Sequence, residues 1–365
     1  MTRGEAHMIQ AAMIGLGRWG QSIIGAVQGK SARVRFVHGV SKEPELARDF
    51  AARHGLRLST DLADALADPE VQAVFLATPH LLHVQQVQAV TATGRPVWCE
   101  KPLALTRAGA ESAVGAVRAA GVPLGSGNNK RCFASMRELK RVLDSGVLGE
   151  ILHIEGHFSN EHSTRVIGGG WRDDPEESPA AGLTGAGLHV LDAFVNLGGP
   201  IRRIDAKVFA PKPPPDPRDV LAVLVEFASG ATGLLATVRA APVVWRVQVF
   251  CTGGWVEARG EDTLTVARMG ESPVTQTFPH VDSLLVLVEA FADAIEGKAP
   301  FPVTPAQMLD LIGAFEAVVM SVERGQPVLC ANAQRRREAR RRDGLAVTGV
   351  PAAGKSTHRP SGNTR

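Results

Sequence analysis

Ala12-Met13-Ile14-Gly15-Leu16-Gly17-Arg18-Trp19-Gly20 closes an apolar run that begins at Ile9 and leads into apolar residues at helical spacing over 21–27. A buried strand, a glycine turn and a helix in that order fix how the chain starts. Gly15, Gly17 and Gly20 have the spacing G-x-G-x-x-G. In such a turn the first glycine allows the tight bend and the second lets the backbone approach a pyrophosphate. The third lets helix and strand pack closely, while the helix N-terminus offers free N–H groups and a positive dipole. The motif carries this meaning only where it opens an alternating strand–helix series; elsewhere it is a glycine-rich turn without a ligand.

That series follows. Strands are expected over 33–40, 71–77 and 96–99, and helices over 45–54, 83–93 and 106–120, with a helical turn over 62–66. Gly55, Gly94 and Gly121 stand where these helices should stop, and Thr106 where the last should be capped. Strands alternating with helices of this length predict a parallel, doubly wound sheet, an α/β Rossmann domain over 1–125. The rhythm then changes. After a helix over 136–145, strands are expected over 151–158, 204–209, 220–227, 232–239, 245–251 and 263–267, with Ser229-Gly230 as a tight turn. Apolar-faced helices over 284–296 and 305–324 are expected to close this second, α+β domain, placed at 126–330 around a large, open, mostly antiparallel sheet. From 331 to 365 the chain is rich in Arg, Gly and Pro without apolar periodicity and is expected to be a disordered basic tail.

The net charge of +3 over 365 residues does not describe the folded part. Nine Lys/Arg and only two Asp/Glu lie beyond Asn332, so the preceding chain is net acidic and no nucleic-acid footprint is claimed for it. No apolar run reaches the roughly 18 residues of a membrane span. The N-terminal residues show no apolar signal core, from which a cytoplasmic protein is expected. Cys99, Cys132, Cys251 and Cys330 have no metal-ligand spacing and are expected as reduced thiols. Tyrosine is absent, which excludes any mechanism that needs a tyrosine general acid.

About twenty residues after the glycine motif, an NAD-preferring site places a carboxylate on the ribose 2′-hydroxyl. Here the second strand ends in Gly39-Val40-Ser41-Lys42. Ser41 and Lys42 suit a 2′-phosphate, so the cofactor is read as NADP or NAD with NADP favoured; Glu43 is the rival residue. Later, Trp98-Cys99-Glu100-Lys101-Pro102-Leu103 puts a lysine just past the fourth strand, at the carboxyl edge where such sheets bind ligands. A lysine partly desolvated there can handle a proton. Glu100 can orient it or bind ribose.

Glu100-Lys101-Pro102 together with the glycine motif resembles the glucose–fructose oxidoreductase/inositol dehydrogenase (Gfo/Idh/MocA) family. Further strings agree: Ala77-Thr78-Pro79-His80-Leu81-Leu82-His83, Asn129-Lys130-Arg131-Cys132-Phe133, Gly185-Ala186-Gly187-Leu188-His189-Val190-Leu191-Asp192 and Gly325-Gln326-Pro327-Val328. The resemblance implies hydride transfer between NAD or NADP and a hydroxyl-bearing carbon. It also implies an open sheet that binds substrate on one face and a second subunit on the other, in a homodimer or homotetramer. By position it makes Lys101 and His189 the catalytic pair, with a cis peptide often preceding the equivalent of Pro102. Arg18, Trp19, Thr78, Pro79, His80, His83 and Glu100 join the cofactor set, and Thr184 the substrate set. Asp192 is expected to support its helix rather than the chemistry. One departure stands out: many members carry an aspartate four residues before the histidine, and this chain has Gly185. Lys101 thereby lacks a carboxylate partner.

Trp171 and Arg172 follow a glycine run and are candidates to stack on and bind a substrate; the rival reading pairs Arg172 with Asp173 or Asp174 and makes Trp171 a plug in the cleft. His153 and His157 share a strand face but are too far apart for a compact chelate, so no metal is expected. Gly349 to Ser356 spells a P-loop in the tail, where the flanking strand and helix it needs are not expected. The sequence therefore reads as an NAD(P)-dependent oxidoreductase of a sugar, cyclitol or related ring compound. A dehydrogenase of a cyclic dihydrodiol or aromatic-derived carbonyl, or a non-catalytic NAD(P)-binding sensor, are the alternatives.

Overall fold

The computed structural model describes residues 8–161, 171–210 and 219–330. The first sheet is built from β1 (Ile9–Ile14), β2 (Val34–Val40), β3 (Arg57–Ser59), β4 (Ala73–Leu76), β5 (Val97–Cys99) and β6 (Leu124–Ser126). Their order is β3-β2-β1-β4-β5-β6, and every pairing is parallel. Strand order reverses between β1 and β4, which opens a crevice at their carboxyl ends. Helices α1 (Arg18–Val27), α2 (Pro44–His54), α3 (Leu62–Ala67), α4 (His83–Thr91) and α5 (Arg107–Ala120) make the crossovers. All four residues of β4 are buried, as expected of a strand covered on both faces. The predicted ends of α5 are present: Thr106 Oγ1 accepts from the Gly109 amide at 3.1 Å, and Gly121 takes a left-handed conformation. The short strands β3 and β6 were not predicted, and the expected boundary at 125 falls inside β6.

The second sheet begins after α6 (Ala134–Asp144) with β7 (Ile151–Ser159), followed by α7 (Gly187–Gly198). It continues through β8 (Ile201–Phe209), β9 (Val220–Phe227), β10 (Thr232–Val238), β11 (Val244–Cys251), β12 (Gly254–Arg259), β13 (Thr263–Arg268) and β14 (Val274–Thr277). A two-residue strand, β15 (Val328–Leu329), completes the order β14-β13-β12-β11-β7-β10-β9-β8-β15. The sheet is mixed: β7 lies at its middle and runs parallel to β10, while the other strand pairings are antiparallel. Residues alternate in burial along β9 and β11 because helices cover one face. Leu152, Leu224 and Leu234 stand exposed on strands of this sheet.

The two late helices divide their work differently from expectation. α8 (Ser283–Ile295) buries Leu287, Val288, Phe291 and Ala292 in the core of the first sheet, where Phe291 packs edge-on to Phe75 and Trp98. Of the two, α9 (Pro305–Arg324) packs on the second sheet, and it also serves the first: Met308 and Ile312 lie in one core, Leu311, Ala314, Phe315 and Val318 in the other. An apolar face on nearly every side of α8 does not say which sheet it will meet. By length and composition α9 could cross a bilayer, but its buried residues occupy these two cores.

Candidate active site

The glycine turn has the three properties its spacing predicts. Gly15 adopts φ +95°, and a Cβ there would lie 2.6 Å from the Ala77 carbonyl oxygen. A Cβ on Gly20 would lie 2.1 Å from the Gly15 oxygen, so helix and turn pack at backbone distance. Gly17 faces open space, with nothing within 4 Å of a Cβ, and no side chain caps α1 there. Free N–H groups at a helix start beside open space fit a pyrophosphate. The adjoining crevice, of about 620 Å³, runs from this turn past Ser41, Lys42 and Glu43 to Thr78, Pro79 and Trp171. Asp61, which sequence reasoning missed, also lines it and binds Lys42 Nζ at 2.7 Å; that ammonium holds the carboxyl below its ordinary range. Ser41 Oγ accepts from the Glu43 amide at 3.2 Å. Arg18 is exposed at the start of α1.

On the opposite side of the crevice, Thr78 donates its hydroxyl to Gln86 at 2.6 Å. His80 Nδ1 lies 2.6 Å from the Glu177 carbonyl oxygen, and the Glu177 carboxylate accepts from the amides of His80 and Leu81. Burial pushes the His80 imidazole down to about 3, against the hydrogen bond to Glu177. The Trp171 ring meets His80 edge-on at 4.9 Å, which puts this indole, expected at the substrate, on the wall of the crevice beside the glycine turn. His83 also differs from expectation. It is fully buried, with Nδ1 2.7 Å from the Pro102 oxygen and Nε2 3.0 Å from the Thr78 oxygen. Without exposed surface it ties two walls of the site together rather than touching a cofactor.

Glu100 is buried beneath the same edge. The Trp98 indole and the Lys101 amide each donate to its carboxylate at 3.3 Å, and room for it exists because residue 127 is glycine. Burial raises its pKa, opposed by the Trp19 indole, Lys101 and Trp98. Lys101 joins Pro102 through a cis peptide. Its Nζ reaches across to the second domain and donates to the carbonyl oxygens of Thr184 at 2.9 Å and Gly185 at 3.3 Å. Backbone oxygens thus stand where a carboxylate was missed, and Thr184 serves through its carbonyl. Desolvation brings the Lys101 ammonium down to about 8, helped by Arg172 and opposed by Glu100. His189, in the first turn of α7, is also buried; desolvation and the charges of Lys101 and Lys130 hold it well below the usual imidazole range. It is therefore neutral at pH 7, and among the described residues its Nδ1 has no partner.

Asp192, on α7, belongs to a buried ion pair. It receives Nε and Nη2 of buried Arg131, whose Nη1 donates to Asn196, Pro302 and Gln307. The Arg172 guanidinium lies 4.1 Å from the Trp171 ring centre. His153 and His157 bond to Thr232 and Ser159, and no group able to hold a metal occurs among the described residues. All four cysteines are free and buried. The glycine run before Trp171 and the P-loop spelling lie outside the described residues.

Residues 9–128 match the Gfo/Idh/MocA oxidoreductase family, NAD-binding Rossmann fold, and residues 136–257 match its C-terminal domain. The chain belongs to the Gfo/Idh/MocA oxidoreductase family. It is 27% identical over 324 residues to the rhizopine catabolism protein MocA of Rhizobium meliloti, covering 86% of this chain and 94% of that one. Over 144 residues it is 33% identical to 1,5-anhydro-D-fructose reductase of Ensifer adhaerens, covering 37% of this chain and 43% of that one. The chain thus spans about half the length of several curated relatives it matches. Levoglucosan dehydrogenase bound to NADH and levoglucosan shares the fold, with a TM-score of 0.79 at 21% identity over 89% of this chain and 100% of that one. The fold is shared with that structure, while the lysine held by the carbonyls of Thr184 and Gly185 belongs to this chain's own residues.

Proposed function

We propose that this family member is an NAD(P)-dependent oxidoreductase acting on a hydroxyl-bearing carbon of a sugar, cyclitol or related ring compound. The observation that carries it is Lys101: an amine brought to about 8 and held on two carbonyls, whose neighbour Pro102 is tied through His83 to Thr78 in the wall of the glycine crevice. When bound, the nicotinamide ring supplies or accepts the hydride. In reduction the Lys101 ammonium gives its proton to the substrate carbonyl oxygen; in oxidation the neutral amine takes the hydroxyl proton. Neutral His189 positions that oxygen. The named activities of the relatives, levoglucosan dehydrogenase and 1,5-anhydro-D-fructose reductase, support a sugar-like ring as substrate.

For the cofactor, Ser41 and Lys42 support NADP over NAD, while the Lys42–Asp61 pair supplies the opposing carboxylate. The exposed leucines of the second sheet support a second copy of the chain packed on that face, in a homodimer or homotetramer. Four unpaired thiols suit a reducing, cytoplasmic setting.

Purified protein, supplied with each cofactor in turn and a panel of sugars, polyols and diols, is followed at the absorbance of the reduced nicotinamide. Turnover is expected, with NADPH or NADP⁺ the better cofactor. Lys101→Ala is expected to keep cofactor affinity and lose about 10²-fold or more in turnover. Cofactor binding without turnover on any compound overturns the enzyme in favour of a sensor.

A further inference from the structure

Lys130 lies close enough to Lys101 and His189 for their charges to act on one another, in a setting the mechanism does not use. Its Nζ lies 4.5, 4.3 and 5.2 Å from the ring centres of Phe133, Phe158 and Trp245. These residues come from the cap of α6, from β7 and from β11, so the cage is assembled by the fold. Phe158 also packs edge-on to His189, with ring centres 5.8 Å apart, which puts the caged amine one side chain away from the reacting end. Aromatic faces hold a cation without neutralising it. Among the described residues, no carboxylate or carbonyl lies within hydrogen-bonding distance of this amine. Glu261, exposed and 3.6 Å from His280, acts on it only from a distance.

Three cations, Lys101, Lys130 and Arg172, act on this region without a carboxylate hydrogen-bonded to either lysine amine among the described residues. Lys101 spends its hydrogen bonds on backbone carbonyls, Lys130 rests on rings, and the field of Arg172 reaches Lys101. The nearby carboxylate, Glu100, is buried and already takes the Trp98 indole and the Lys101 amide. Beside Lys101 the position that would carry a side chain is Gly185, with nothing within 4 Å of a Cβ. Lys101 and Lys130 thus offer donors beside open space at Gly185, and among the described residues neither amine holds a carboxylate by hydrogen bond.

We propose that Lys130 and its aromatic cage form a carboxylate subsite, so that the substrate is a polyhydroxy acid of the uronate or aldonate class. Its acid group is anchored at Lys130 while its hydroxyl-bearing carbon faces Lys101 and His189. This rests on the oxidoreductase reading above and narrows its substrate. A charge-assisted hydrogen bond in a partly desolvated site is strong enough to set substrate choice.

The test uses the full chain and matched pairs: D-glucuronate against D-glucose, D-galacturonate against D-galactose, with glucose 6-phosphate as a separate anionic arm. Turnover is followed at the reduced-nicotinamide band, and binding by calorimetric titration into the enzyme–NADPH complex. The acid is expected to exceed its neutral partner by about 10-fold or more in kcat/KM or in affinity, the scale of one charge-assisted bond. Lys130→Met is expected to collapse that ratio toward one while NADPH affinity stays unchanged, which shows that the variant is folded. A ratio near one in the parent protein, a ratio that survives Lys130→Met, or a preference for the phosphate arm overturns the subsite. Turnover of neutral sugars without acid preference removes this proposal alone; NADPH binding with no turnover and no ligand bound removes the enzyme reading with it.

Discussion

The ammonium of Lys101 rests 2.9 Å from the carbonyl oxygen of Thr184, the residue before Gly185, and so takes its partner from the main chain of the other domain. A carbonyl dipole stabilises the charged lysine less than a carboxylate does, and burial then dominates its titration. Gly185→Asp restores a negative charge at a position with free space for a side chain. The pH–rate inflection expected near 8 should move upward by about one unit or more, because an opposite charge nearby favours the protonated amine. In the reduction direction activity should therefore persist to higher pH. An unmoved inflection would assign the profile to a group other than Lys101.

The glycine turn separates folding from binding. Gly17→Val meets no neighbour and occupies an extended backbone that valine adopts, so its melting temperature should stay close to the parent's. Its affinity for NADPH, read by fluorescence titration, should fall about 10-fold or more as the side chain blocks approach to the pyrophosphate. Gly20→Ala should behave in the opposite sense. Its Cβ collides with the Gly15 oxygen, and overpacking of this kind costs about 1–3 kcal/mol in a denaturant melt.

Arg131 and Asp192 form a buried pair, and removing one partner leaves an uncompensated charge. Asp192→Ala should cost about 3–5 kcal/mol of stability in urea titration. A loss below about 1 kcal/mol would mean that Asn196, Gln307 and the Pro302 carbonyl suffice to hold the guanidinium.

Acid should destabilise the fold through its buried imidazoles. His80 is held neutral, its value lowered from 6.5 to about 3, so the unfolded chain binds a proton there that the folded chain does not. That contribution is complete above pH 6.5 and is lost as pH falls toward 3, by up to about 1.4 kcal/mol per pH unit. His83 and His189 are lowered as well and act in the same direction. Denaturant melts between pH 7.5 and 5 should show this slope, and His80→Asn should reduce it by at most one proton's worth. A variant with the parent's full slope would show that His80 is not protected in the fold.

What the sequence made legible was chemistry carried by side chains at fixed spacing. The strand–glycine–helix opening, the cap at Thr106 and the position of Lys101 at a strand's carboxyl edge follow from local pattern. β3 and β6, Arg-Leu-Ser and Leu-Gly-Ser, lack the continuous apolar run that marks the equally short β5, so they leave no local signal. The place of β7 at the centre of its sheet depends on strands more than seventy residues later in the chain. Lys101's partners were hidden because a backbone carbonyl leaves no mark in residue type. The cage around Lys130 joins residues 133, 158 and 245, which no local window brings together.

The sharing of α9 between two cores has a mechanical consequence. With Met308 and Ile312 seated in one and Phe315 and Val318 in the other, neither half can shed its interior packing without uncovering a stretch of the same rod. Lys101 and its carbonyl partners sit on opposite halves, so their spacing inherits the stiffness of that common spar. The position of the Lys101 amine is therefore set by the fold itself.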